Sequence, residues 1–182
     1  MARLRYLDKK DLAPENQDLL DRPINLNRVL VNSPNCRRAG LAIANFIRHT
    51  SKLDGRLREL AILQVGYLTR AAYEWSHHLK IGGNFGVSDD DVRELIKAAE
   101  GKPANFDALT TLVLAAAREM TMDGAMSAAT FAALNERLGE EQLVDLIVTI
   151  GHYNGIVRVL ASLEVDVEPE YQPYLDKFPL PA

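Results

Sequence analysis

Residues 56–86 read RLRELAILQVGYLTRAAYEWSHHLKIGGNFG. The fold turns on whether this stretch is one helix or two. Glu59 has Ile62 and Leu63 at i+3 and i+4, which sets its carboxylate beside an apolar stripe. Glu74 and His78 stand four apart, hence side by side on one helix face, with Trp75 and Ile81 as apolar neighbours. On one continuous helix Glu59 and His78, 19 residues apart, would lie about 28 Å from each other at 1.5 Å per residue. They meet only if the chain reverses. Gly66 weakens the first helix and Thr69 is a fair N-cap for a second, so a helical hairpin bending at Gly66–Thr69 is predicted.

In such a hairpin His78 is a candidate general acid or base, because partial burial and a carboxylate one turn away both tune an imidazole. Two carboxylates in one apolar pocket repel, so at least one of Glu59 and Glu74 is expected to have a raised pKa and to serve as the acid. A plainer alternative stays open. Glu59 pairs with Arg56 at i−3, and Glu74 with His77 or His78, as solvated pairs worth about 0.2–0.5 kcal/mol each.

The helical spacing extends in both directions. Phe106, Leu109, Leu112, Val113, Ala116 and Met120 follow one stripe at steps of three and four, and no β-branched alternation between turn pairs is present. Ser33 before Pro34, Ser88 with Asp91 three further on, and Ser127 mark helix starts. Helices are predicted near 34–50, 55–68, 70–84, 88–100, 105–121, 127–138 and 140–162. The fold class is all-α, and short connectors make it a compact antiparallel bundle. One domain over 1–182 is expected, with 1–32 a polar extension that runs across the surface on a few apolar anchors, Leu4, Tyr6, Leu19, Leu20 and Leu26. Residues 164–182 form a tail whose Pro169, Pro173, Pro179 and Pro181 exclude a helix. Its Tyr171, Tyr174 and Phe178 call for docking, on the body or on a neighbouring subunit.

Composition narrows the function. Apolar residues are 47% and charged residues 25%, an ordinary globular balance that excludes disorder. Lys and Arg number 21 against 25 Asp and Glu, a net charge of −4, and the tail from Glu164 carries that excess. A balanced body with no basic cluster argues against nucleic acid. Cys36 is the single cysteine, so an intrachain disulfide or dithiol reaction is excluded, and it reads as a small apolar filler. The first 20 residues hold no apolar signal core, and no apolar run reaches 18 residues. A cytoplasmic protein without membrane contact is expected.

Other chemistry fits less well. Glu74 and His77 match the Glu-x-x-His unit of di-iron bundles, but such sites need two copies and no second exists. A single metal ion on Glu74, His78 and His152 is left open, and neither metal nor cofactor is expected. In residues 143–165, Leu143, Ile147, Ile150, Val157 and Ala161 share a stripe with Asn154, which therefore bonds the core or lines a pocket. His152 falls on a more polar side and reads as a surface histidine. Tyr73 and Trp75, flanking Glu74, and Asn154 are the candidate substrate-binding residues. No phosphate loop, nucleophile elbow or zinc pattern is present.

Arg56-Leu57-Arg58-Glu59-Leu60-Ala61-Ile62-Leu63 followed by Tyr73-Glu74-Trp75-Ser76-His77-His78 resembles the carboxymuconolactone decarboxylase family, relatives of the AhpD-type alkylhydroperoxidases. The likeness runs over about 28–168 and includes Tyr153-Asn154, Arg158 and Leu160. It implies an all-helical fold with the active site in the central hairpin, assembled as a homotrimer or a dimer of trimers. The peroxidase branch carries a Cys-x-x-Cys pair. Aligned on Glu59 and His78, those positions here are Ala71 and Glu74, so dithiol peroxide reduction is not expected.

The decarboxylase branch acts without a cofactor on a carboxylated lactone from aromatic-ring breakdown, and Glu59, Glu74 and His78 suit such proton transfers in kind. The resemblance thus implies Glu59, Glu74 and His78 as catalytic residues. His78 would shuttle the proton, Glu59 orient it, and Glu74 stand nearest the substrate. A polyanionic substrate would need Arg56, Arg58 or Arg70 to offset two carboxylates. Three functions follow as expectations: a lyase, isomerase or hydrolase on a small oxygenated or lactone-like molecule; a non-catalytic or regulatory oligomer; or an antioxidant protein using a non-standard thiol, Cys36 of a neighbouring subunit.

Overall fold

The computed structural model describes residues 2–181, and every regular element among them is helical. The helices are α1 (Asn25–Leu30), α2 (Pro34–Asn45), α3 (Gly55–Leu68), α4 (Ala72–Gly83), α5 (Asp89–Ala99), α6 (Ala108–Met122), α7 (Ala128–Leu163) and α8 (Gln172–Lys177). Ser127 accepts the Thr130 amide, and Ser88 with Asp91 forms a reciprocal capping box. Asp54 and Asp107 cap α3 and α6 through the Leu57 and Thr110 amides, two starts that sequence reading passed over. Ser33 makes no side-chain cap; Pro34 alone marks that start. The predicted helix 34–50 stays α-helical only to Asn45 and ends in one π turn over Phe46–Thr50. At Gly139 the backbone leaves helical geometry (φ 74°, ψ 169°), so α7 is two helices joined across a kink, at the break expected from the sequence.

α3 is the axis of the molecule. Every residue from Leu57 to Tyr67 is buried, which makes it a core helix rather than an amphipathic one. On one side Leu57, Ala61 and Val65 meet α6 and α7 through Val113, Ala117, Leu146 and Ile150. On the other, Leu60, Leu63 and Tyr67 pack with Trp75, Leu79, Leu95 and Phe178. Each such aliphatic side chain contributes about 1.5–3 kcal/mol on full burial. By length and composition α7 could cross a membrane, with a mean hydropathy of 1.4 over its most apolar window, yet here it packs along α3 and α6.

Both chain ends dock on the body, as their apolar anchors imply, but the tail is helical where its prolines were expected to exclude a helix. Leu7, Leu19 and Leu20 bury against Val31, so the N-terminal extension is pinned. The tail forms a 3-10 turn (Pro169–Tyr171) and then α8, because Pro173 falls in the first turn, where its missing N–H costs nothing. Tyr171 and Phe178 are buried on their own chain, and the Trp75 indole N–H donates to the Phe178 carbonyl at 2.7 Å.

Candidate active site

The reversal between α3 and α4 is made by main-chain hydrogen bonds. The Ala71 amide donates to the Gly66 carbonyl at 2.9 Å and the Arg70 amide to Tyr67 at 3.1 Å, the Schellman pattern, with Arg70 left-handed at φ 54°. Thr69 is the C-cap of α3 and its hydroxyl bonds back to Val65, so it ends one helix instead of starting the next. Gly66 serves by close approach: a Cβ there would stand 3.3 Å from the Trp75 nitrogen.

The hairpin closes the gap between Glu59 and His78. His78 Nδ1 donates to Glu59 Oε2 at 2.6 Å, and His78 Nε2 lies 3.2 Å from Glu74 Oε2. Arg58 Nε donates to the other Glu59 oxygen at 3.0 Å. None of these four side chains is more than 6% exposed. The solvated-pair alternative fails: Arg56 turns to Asp91 at the start of α5, and the cation on Glu59 is its own neighbour Arg58. The imidazole stands between two carboxylates in a line.

Electrostatics follow from that line. Burial pushes the Glu59 carboxyl up, but the charge and hydrogen bond of His78, with Arg58, outweigh it, and Glu59 lies below its ordinary value. Burial alone would push His78 down; Glu59 and Glu74 raise it to about 9. His78 is therefore an imidazolium at neutral pH, and Arg58 and His78 offset Glu59 and Glu74. Of the two carboxyls among which a raised one was expected, Glu59 is lowered instead, because Arg58 and His78 outweigh its burial.

Glu74, His78, Tyr73 and His77 of α4 line a cavity of about 290 Å³ with residues 18–30, α2, Arg48 and α7. That is the lower edge of ligand-site volumes, roughly 300–1,000 Å³. Glu59 lies behind His78 and does not line it. The second Glu74 oxygen makes no hydrogen bond among the described residues. Tyr153 meets the His78 ring edge-on at 4.9 Å, and its hydroxyl has no partner there either. Burial pushes that hydroxyl up, as do the Glu74 and Glu59 charges, against Arg48 and Arg58. His152 is half-buried on the cavity wall, and burial lowers its pKa against the pull of Glu74. No group of three or more His, Cys, Asp or Glu among the described residues is arranged to hold a metal ion.

Two expected substrate-binding residues lie elsewhere. Trp75 is fully buried in the core beneath α8. The Asn154 side-chain amide donates to Thr121 at 3.0 Å and to the Ile150 carbonyl, so it ties α7 to α6. Tyr73 does line the cavity, but its hydroxyl donates to Glu168 at 3.0 Å and accepts the Leu26 amide. His77 donates to the other Glu168 oxygen at 2.8 Å and is stacked between Tyr73 and Tyr171. Arg37 was missed altogether, His152 was read as a surface histidine and Tyr153 noted only for its family likeness, yet all three line the cavity. No local pattern marks them, since their roles come from α2 and α7 closing over α4. Cys36 is exposed and outside the cavity.

The model of the carboxymuconolactone decarboxylase family matches residues 37–119, which include Glu59, Glu74 and His78. Among solved structures, the debrominase Bmp8 in complex with 2,3,4-tribromopyrrole superposes with a TM-score of 0.79 at 16% identity, over 97% of this chain and 99% of that one. An AhpD-core, peroxidase-related protein from Ralstonia eutropha JMP134 has a TM-score of 0.77 at 16% identity, over 96% and 95%. A peroxidase-related protein from Silicibacter sp. TM1040 gives 0.72 at 18% identity, over 94% and 97%. At these identities the shared property is the fold. No curated protein sequence matches the chain.

Proposed function

Because the chain belongs to the carboxymuconolactone decarboxylase/AhpD-like superfamily and has Ala71 and Glu74 where the resemblance aligns the peroxidase cysteines, we propose that it is a cofactor-free acid–base enzyme. It acts on a small oxygenated organic molecule as a lyase, isomerase or hydrolase. The observation that carries this is the Glu59–His78–Glu74 line with its last member on a cavity wall. Glu74 takes a proton from a substrate atom beside a carbonyl or lactone group. The substrate becomes anionic and faces the His78 cation, which stabilises that charge. Glu74 then returns the proton to a second atom, which isomerises the substrate. In a decarboxylation the proton that Glu74 removes is that of the substrate's carboxylic acid group, carbon dioxide leaves, and the same proton is delivered to the carbon left behind. Glu59 is a positioning residue that holds His78 charged and oriented. A neighbour of this fold that binds a small ring, 2,3,4-tribromopyrrole, is in keeping with such a cavity.

The test is a panel of small lactones and β-keto acids in D₂O followed by NMR. At least one should exchange, isomerise or decarboxylate, and Glu74→Gln and His78→Asn should each slow it by roughly 10²–10⁴-fold. Equal rates in the parent and both variants would overturn the assignment.

The same protein is proposed to self-associate as a trimer or a dimer of trimers. The tail is spent on its own chain, so the support comes from α7, which leaves Val144, Gly151 and Gly155 exposed along one face. Light scattering giving a 20.2 kDa species at micromolar concentration would refute assembly.

A further inference from the structure

The far wall of the cavity carries three cations without an anion. Arg37 on α2 is only 8% exposed, and its Nε is buried with no hydrogen-bond partner. Arg48 is half-buried and Arg22 exposed, so the three run from the interior to the mouth. None of their guanidinium groups has an ion pair or hydrogen bond among the described residues. The two acids on that wall are already taken: Asp18 pairs with Arg38 at 2.9 Å and Asp21 with Lys9 at 2.7 Å, both at the surface. Glu74, across the cavity, is turned to His78. Burial lowers Arg37 from its ordinary value, and the like charges of Arg48 and Arg22 lower it further. A buried cation with cationic neighbours and no counterion is costly to fold, and the chain gains nothing from it unless a ligand brings the anion.

We infer that the cavity binds a small organic carboxylate, its anionic group held by Arg37, Arg48 and Arg22 and its uncharged end presented to Glu74 and His78. Guanidinium groups match a carboxylate with paired, planar hydrogen bonds. The same cavity is lined by Leu41, Ala44, Ile81 and Ile156, which suit an apolar body. The orientation rests on the acid–base function proposed above; the anion site itself does not.

Benzoate, its neutral counterpart benzamide and inorganic phosphate, titrated into the full chain by calorimetry, separate the outcomes. Benzoate should bind saturably, with benzamide and phosphate each about tenfold weaker or more. Arg37→Met should weaken benzoate by about tenfold and leave benzamide unchanged, while its melting temperature holds or rises because an unpaired buried charge is removed. Arg48→Gln, at a half-buried position, should weaken benzoate in the same direction and guards against a misfolded Arg37 variant. Equal affinity for benzoate and benzamide, equal affinity for phosphate, no benzoate binding, or benzoate binding untouched by both substitutions would overturn the inference. Glu74→Gln should still bind benzoate. If it does and yet keeps full turnover, the acid–base function fails while the anion site stands. If it loses turnover but benzoate binds no better than benzamide, the reverse holds.

Discussion

His77 and His78 are neighbours on α4, both buried, and each leans on a carboxylate far along the chain: Glu168, 91 residues on, and Glu59, 19 residues back. Their surroundings differ. Both oxygens of Glu168 are occupied, one by His77, the other by the Tyr73 hydroxyl and the Asn25 amide at 2.6 Å, and two tyrosines cover the His77 ring. His78 is held by Glu59 on one nitrogen and looks across the other to Glu74, which has an oxygen to spare on the cavity. A saturated histidine–carboxylate pair fastens the C-terminal tail to α4. One with unused acceptor capacity has an oxygen free to take a proton from a ligand. Spare hydrogen-bonding capacity, rather than burial or the pair itself, separates the two.

The strongest way to break this comparison is by turnover. Glu59→Gln and His78→Asn should each lose about 10²–10⁴-fold, and the double variant should be little worse than the worse single one, because residues acting as a unit are not additive. His77→Gln and Glu168→Gln should stay within about threefold of the parent. A large loss in the His77 variant would erase the distinction.

Stability should run differently. Glu59→Ala strands Arg58 and His78 in the interior and is expected to cost about 3–5 kcal/mol in urea unfolding. Glu168→Ala strands the donors of Tyr73, Asn25 and His77 and should cost about 1–3 kcal/mol.

The pH profile sharpens the same contrast. His78 rises from 6.5 to about 9 on folding, so the stability it contributes is complete below 6.5 and is lost as pH climbs through 9. Glu59 falls below its ordinary 4.5, so its contribution is present above 4.5 and is lost as pH drops through its lowered value. Unfolding at a series of pH values should show stability declining by about 3 kcal/mol between 6.5 and 9, absent in His78→Asn. A flat profile would mean that His78 is neutral in the fold.

These residues also show what the sequence made legible. Glu59 and His78 could be joined in advance because the clues, a weakening glycine and a capping residue, lie within the segment they connect. The nature of the turn could not, since Arg70 adopts a left-handed conformation that nothing in its type announces. Arg56 was the natural partner for Glu59 by helical spacing, and it was lost to Asp91, whose position depends on how α5 packs. Glu168 was invisible for the same reason on a larger scale: the prolines around it spoke against a helix, whereas Pro173 opens α8. Arg37 had no local mark, because an unpaired charge is defined by what fails to surround it.

The smallest expected effect concerns Cys36. Exposed and outside the cavity, it should tolerate Cys36→Ser with a stability change under about 0.5 kcal/mol and unaltered turnover. Thiol-dependent peroxide reduction that vanishes in this variant would displace the acid–base function.

The Gly66–Ala71 turn is, finally, a selector of which face α4 offers. Successive helical residues lie about 100° apart, so one residue inserted at Arg70 would advance every α4 side chain into the slot of its successor. His77 would arrive opposite Glu59, and the buried histidine–carboxylate contact would survive. Tyr73 would take the place of Glu74, and the tail would lose its anchor. An inserted residue would thus keep the ion pair and discard the proton acceptor, which makes the length of this turn as much a part of the site as the side chains it aligns.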